Sequence, residues 1–215
     1  MAPPENNTPQ NHPHRAAGRV RWRRFAFALV PSLAVVAAVL GLTAQGALAS
    51  SFSISGQQFQ VSANALSGQG FQQFGTVDST AASRKIVVAE SEIGNATLTN
   101  LCQSVVTTMP FGLGTYTLQI RAGRGSTPVS ASGLIVDANQ LSGSTAVFRN
   151  IHIGQDASTL NDVSGVPLGQ AGTFAQQATH VTIDNLRQVA YATSAGTFTL
   201  PGFSLRLSAG DKPCF

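Results

Sequence analysis

From Phe52 to Leu207, apolar side chains return at every second position in several stretches. Phe52 with Ile54, Phe59 with Val61 and Ala63, Tyr116 with Leu118, Ile120 and Ala122, and Phe203 with Leu205 and Leu207 all alternate with polar or small neighbours. A period of two sends one face of an extended strand into a core and the other into water, and a helix cannot use it. After Ala49 the only Lys and Glu residues are Lys85, Lys212, Glu90 and Glu92, whereas Ser, Thr, Gln, Asn, Gly and Val abound. The residues that best support exposed helix surfaces are therefore missing. The pattern predicts an all-β domain of antiparallel strands, built as a sandwich or an elongated curved sheet. Further strands are expected at 85–89, 129–136, 146–153, 180–192 and 196–200, punctuated by Gly112-Leu113-Gly114, Gly123-Arg124-Gly125 and Pro201-Gly202. Residues 156–177 lack the alternation and read as a long loop with room for a short helix. Such a loop either gates a groove, with Phe174 as its apolar contact, or covers an open sheet edge.

The first 49 residues are of another kind. Residues 1–18 are rich in Pro, Asn, Gln and His without an apolar period, the composition of a disordered cytosolic tail. Arg19, Arg21, Arg23 and Arg24 then precede twenty uncharged residues, 25–44, enough for a membrane helix. The basic cluster holds the N-terminus inside, so the chain beyond Ala49 is expected outside the cytoplasmic membrane. Ala47-Leu48-Ala49 before Ser50 has the small-x-small pattern that signal peptidase reads. Residues 19–49 are thus either a cleaved signal peptide or an uncleaved anchor, with the membrane as partner through residues 25–44. Arg23-Arg24 reads as ordinary flanking charge rather than a twin-arginine signal.

Charge follows the same division. Residues 1–49 hold five Arg against Glu5, and residues 50–215 hold eight basic and eight acidic residues, so the net charge of +4 belongs to the leader. Nucleic acid is not an expected partner, because a neutral domain with scattered Arg cannot displace a phosphate counterion atmosphere. Cys102 and Cys214 are the only cysteines. In an oxidising compartment an even pair is most simply one disulfide, and two buried thiols are the alternative. Neither the cysteines nor His152 and His180 have metal-ligand spacing, so no metal or cofactor is expected.

Two strings recur in order. Val61-Ser62-Ala63-Asn64-Ala65-Leu66-Ser67-Gly68 returns as Val136-Asp137-Ala138-Asn139-Gln140-Leu141-Ser142-Gly143, and residues 96–103 resemble 181–188, each with an Asn-Leu pair. Together they point to two similar halves, 52–125 and 126–207, within the domain 50–215.

Catalytic chemistry finds few residues to use. There is no Gly-x-Ser-x-Gly, and His152 and His180 are the only imidazoles after the leader. Both lie on the polar phase of expected strands and read as solvated. Glu90 and Glu92 share a strand face, the pairing that acid/base work on glycosides needs, but with no Trp beyond the leader they read as a polar strand end.

The Arg cluster, Ser51-Phe52-Ser53-Ile54-Ser55-Gly56, Asn100-Leu101-Cys102-Gln103-Ser104, Gly154-Gln155-Asp156-Ala157 and Phe198-Thr199-Leu200-Pro201-Gly202-Phe203 resemble an uncharacterised family of actinobacterial exported or membrane-anchored proteins. The similarity runs from about residue 20 to the C-terminus. Members often carry the label cholesterol esterase, which implies an extracytoplasmic lipid or ester hydrolase without naming catalytic residues. The residues themselves point to a non-enzymatic envelope protein that binds an apolar or lipid ligand or an envelope partner.

Overall fold

A computed structural model describes residues 54–215. The expected tail, basic flank, 25–44 helix, Ala49-Ser50 cleavage point and Phe52 lie outside the described residues. Among those described, no helix is long and apolar enough to cross a membrane.

The described chain is all-β, as the alternation predicts. It runs β1 (Phe59–Ser79), β2 (Lys85–Thr99), β3 (Leu101–Thr108), β4 (Thr115–Ala122), β5 (Val129–Ser142), β6 (Thr145–Arg149), β7 (His152–Asp156), a 3-10 turn (Ala157–Thr159), β8 (Phe174–Ser194), β9 (Thr197–Thr199) and β10 (Ser204–Ala209). All ten strands belong to one sheet and every strand pair is antiparallel; a lone parallel bridge joins Ile54 to Thr80.

The sheet closes on itself. β1 is bonded to β2 along one edge and to β8 along the other, and β5 pairs with both β2 and β8. Closure explains the length of β1, whose second half is rich in Gly and Gln and carries little strand propensity of its own. With backbone partners on both sides, its N–H and C=O groups are satisfied only while it stays extended. Leu66, Phe71, Ile93, Leu98, Leu134, Val181, Ile183 and Leu186 fill the main core.

Several strands are continuous but kinked. β3 prolongs β2 in the same register against β1, with Ala65 opposite Thr99 and Ser62 opposite Cys102. The break is Asn100, whose φ of 52° is left-handed, and Asn185 on β8 has φ 49°. Asn tolerates that region better than most residues. Asn150, with φ 52°, likewise splits the expected strand 146–153 into β6 and β7. The first recurring string falls on β1 and over the end of β5, two strands that share the partners β2 and β8; the second spans the β2–β3 break and lies on β8.

Two expectations are corrected. Phe203, Leu205 and Leu207 alternate as read but face no core, being 53 %, 55 % and 66 % exposed. On β4, too, Tyr116, Leu118 and Ile120 are only half-buried while Thr117 is buried. The reason is the C-terminal tail, which covers the polar face of β3 and β4. Thr117 Oγ1 donates to the Gly210 carbonyl at 2.7 Å and accepts from Lys212 N at 2.9 Å, and Ser104 Oγ accepts from Cys214 N at 2.9 Å. A period of two fixes which residues share a face, not which face is covered.

The long loop is shorter than expected, because β8 begins at Phe174 and leaves residues 157–173. Asp156 ties its ends together: Oδ1 accepts from Ser158 N at 2.9 Å and Oδ2 from Gly172 N at 2.7 Å. These bonds hold the Asp156 carboxyl below its ordinary range, Ser158 contributing most. The segment lies across β1 and β8, not along a free edge. Ala157 and Leu160 pack with Phe74 and Ala175, Asn161 N donates to Gln177 Oε1 at 2.8 Å, and Val163 N donates to Gln72 Oε1 at 3.2 Å. Phe174 itself points outward, 65 % exposed.

Candidate functional site

The two histidines separate. His152, on β7, is exposed. His180, on β8, is half-buried, and its Nε2 lies 3.3 Å from Ser67 Oγ on β1. Ser67 is directly opposite Thr182, so the contact is a diagonal one across the β1–β8 ladder. Sequence spacing could not bring these two together, because the contact exists only where β1 meets β8. A nucleophile and a base within hydrogen-bond reach begin a hydrolytic site, but catalysis also needs an orienting group behind the base and a cleft in front. Among the described residues no carboxylate is hydrogen-bonded to His180, and neither Ser67 nor His180 lines either of the two cavities described below.

Glu90 and Glu92 do share a face, but not at a polar strand end. They sit within β2, flanked by β1 and β5: Glu90 lies opposite Phe74 and Asp137, and Glu92 lies opposite Gln72 and Ile135. Glu92 is fully buried, with Oε2 accepting from Gln72 Nε2 at 2.7 Å. Asp78 from β1 and Asp137 from β5 complete the group. Burial raises Glu90 to about 7, with the charges of Glu92 and Asp78 adding to it. Burial likewise lifts Glu92 to about 7 against the opposing pull of the Gln72 amide, and the charge of Asp137 adds to the rise. Asp137 rises to about 7 through burial and then through Asp78 and Glu90; Asp78 is raised by burial.

Asp78 Oδ2, Glu92 Oε1 and Asp137 Oδ1 are buried without a hydrogen-bond partner. Near neutral pH such a cluster holds protons, because several carboxylates cannot ionise together out of water. With Glu92 closed to solvent, glycoside acid/base chemistry has no route to the pair. Among the described residues no group of His, Cys, Asp and Glu has the arrangement to hold a metal ion. Asp78 and Asp137 escape a sequence reading because they reach Glu90 from two different strands. The one available signal was that Asp137 stands where the first recurring string has Ser62.

Two cavities occur among the described residues, one among the core side chains inside the ring and one beside the disulfide. The first, apolar and about 50 Å³, lies among Leu66, Phe71, Ile93, Leu134 and Leu186. Sites for small molecules run to roughly 300–1,000 Å³, several times this space. The second, about 290 Å³ and polar, is lined by Asn64, Asn100, Asn185, Arg121, Arg187 and Phe215 beside the disulfide. Asn100 Nδ2 donates to Asn64 Oδ1 at 3.1 Å, and the Arg187 guanidinium lies 5.4 Å from the centre of the Phe215 ring. Cys102 and Cys214 are joined, with their Cα atoms 5.9 Å apart across 112 positions of sequence. The bond fastens the tail to β3.

These features define a disulfide-closed, all-β domain with a buried carboxyl cluster. The chain belongs to a family of unknown function, DUF6230, whose profile matches residues 55–215. No curated protein and no solved structure matches it.

Proposed function

We propose that the protein is a non-enzymatic, extracytoplasmic component of the cell envelope, held at or exported across the membrane by its leader, and that it works by binding at its surface. The observation that carries this reading is the row Phe203, Leu205 and Leu207, 53–66 % exposed, the first just before the edge strand β10 and the other two on it. Leu205 lies opposite Ile120 and Leu207 opposite Leu118, so the row widens into an apolar sheet face. An exposed face of this kind suits an apolar envelope partner, while the 50 Å³ interior leaves an enclosed lipid nowhere to sit.

The Ser67–His180 contact favours a second reading, an ester hydrolase of the kind the cholesterol esterase label implies. Its missing parts are the orienting carboxylate and the cleft. The two readings part in one assay of the purified chain on short and long acyl esters. The binding reading expects turnover at blank level in the native chain, in Ser67→Ala and in His180→Ala alike. Turnover that either substitution abolishes would establish the hydrolase.

A further inference from the structure

The β3–β4 hairpin turns through Met109, Pro110, Phe111, Gly112, Leu113 and Gly114, and its apolar side chains stand off the sheet. Phe111 is 96 % exposed, Leu113 63 % and Met109 43 %. No charged residue occurs between Glu92 and Arg121. The turn is built rather than loose: Met109 N donates to the Gly114 carbonyl at 2.9 Å, and the Tyr116 hydroxyl donates to the Leu113 carbonyl at 3.0 Å. Phe111 holds a left-handed φ of 61°, which a bulky side chain adopts only against steric resistance. Such a turn displays a phenyl ring to water where a polar residue would serve solubility better.

The position of the hairpin says what meets it. Gln57 Nε2 donates to the Val106 carbonyl and to Thr107 Oγ1, both at 2.8 Å, at the hairpin base. Three residues earlier, Ile54 N donates to the Ser79 carbonyl beside the β1–β2 turn. The described chain therefore begins between these two turns. The same end carries Arg84 and Lys85, both exposed, and the exposed Val77 and Val87, which face each other across the β1–β2 hairpin. Ala44, the last residue of the expected membrane span, is ten positions before Ile54. At about 3.3–3.6 Å per residue, an anchored leader keeps this end within roughly 35 Å of the bilayer.

We propose that the tip at residues 109–113 is a membrane-contact element that seats Phe111 and Leu113 in the lipid interface, with Arg84 and Lys85 against anionic head groups. Tyr116, at the hairpin base, stands where an amphipathic ring is favoured at head-group level. The inference rests on the reading of the domain as membrane-held and displayed outside. It adds the occupant of this surface, a lipid bilayer.

The test uses the full chain in phosphatidylcholine–phosphatidylglycerol vesicles carrying brominated acyl chains. Trp22 is the only tryptophan, so Trp22→Phe with Phe111→Trp leaves one reporter at the tip, and Trp22→Phe with Leu113→Trp provides a second, independent one. A third chain carries the reporter as Ser126→Trp, in the exposed turn beyond the opposite end of β4, roughly 25 Å away at about 3.3 Å per residue and outside the Phe203–Leu207 row. The expected result is blue-shifted emission and quenching at positions 111 and 113, none at 126, and weaker quenching at 111 when Arg84→Glu and Lys85→Glu are added. Tip reporters that are unquenched by lipid and open to aqueous acrylamide overturn the proposal, as does equal quenching at 126. Protease accessibility of the domain on intact cells is read separately, so loss of the tip contact and loss of the membrane-held display are told apart.

Discussion

Gln72 Nε2 donates a 2.7 Å hydrogen bond to Oε2 of Glu92, its direct partner across the β1–β2 ladder, and neither side chain has any exposed surface. The same Gln72 turns its Oε1 outward to accept from Val163 N at 3.2 Å. One amide thus links the carboxyl cluster to the segment that covers it. Glu92 Oε1 is left without a partner, the condition in which a carboxyl group resists ionisation.

This arrangement sets a pH dependence. Glu90, Glu92 and Asp137 titrate near 7 in the folded protein, against ordinary values of 4.5, 4.5 and 3.8. The folded state therefore holds more protons than the unfolded chain through that interval. The stability this confers is present in full below about pH 4 and is lost as pH rises through 7. Urea denaturation at pH 5 and pH 8 is expected to give the higher midpoint at pH 5. Glu92→Gln, which needs no proton and still faces Gln72, is expected to stabilise the protein at pH 8 by up to about 3 kcal/mol and to flatten the slope. A midpoint that rises from pH 5 to pH 8 would count against the cluster.

The disulfide carries a second expectation. It closes a separation of 112 residues, for which chain entropy gives about 4–5 kcal/mol as an upper figure. It also holds the tail over Thr117 and Ser104, whose buried hydroxyls are satisfied by backbone groups of Gly210, Lys212 and Cys214. Cys214→Ser is therefore expected to lower the denaturation midpoint and to speed hydrogen exchange at the Lys212 amide. A midpoint unchanged by reductant would remove the tail from the account of stability.

Fold class was legible because alternation and the shortage of Lys and Glu act residue by residue. Closure was not, because nothing local tells Gln72 that it has a ladder on each side. The alternation read from Phe59 stops at Ala63, and residues 64–79, with Gly68, Gly70 and Gly75, continue the strand because β2 and β8 hold them. The disulfide was legible from the cysteine count. The faces of β4 and β10 were not, since the cover over Thr117 comes from the tail, 93 positions away at Gly210. The carboxyl cluster was half legible: Glu90 and Glu92 share a face by spacing, while Asp78 and Asp137 arrive through pairing. Ser67 and His180 meet by the same long-range route.

Gly70 and Gly75 separate two meanings of glycine within β1. Gly70 has φ 68°, and a Cβ there would come within 2.5 Å of the Asp162 carbonyl oxygen in the covering segment. A Cβ at Gly75 would meet nothing within 4 Å. Gly70→Ala is expected to destabilise by roughly 1–3 kcal/mol and to loosen residues 157–173 to proteolysis. Gly75→Ala is expected to be neutral or slightly stabilising, since it restricts the unfolded chain without a native clash. Equal effects at the two positions would show that the covering segment does not depend on close approach to β1.

The inverted faces at the β4–β10 edge give a comparison between residues of one type. Leu186 and Leu207 both occupy strand positions with apolar neighbours, but Leu186 is 2 % exposed in the ring core and Leu207 is 66 % exposed on β10. Truncating a buried leucine removes transfer energy and leaves a cavity, so Leu186→Ala is expected to cost about 2–5 kcal/mol. Leu207→Gln removes little buried surface and is expected to stay within roughly 0.5 kcal/mol of the native protein. The same substitution should weaken association with whatever apolar surface the β10 face meets, without disturbing the fold. Chemical denaturation of the two variants decides the matter: if Leu207→Gln costs as much as Leu186→Ala, the row packs into a core after all, and the exposed face that supports a surface-binding role is lost.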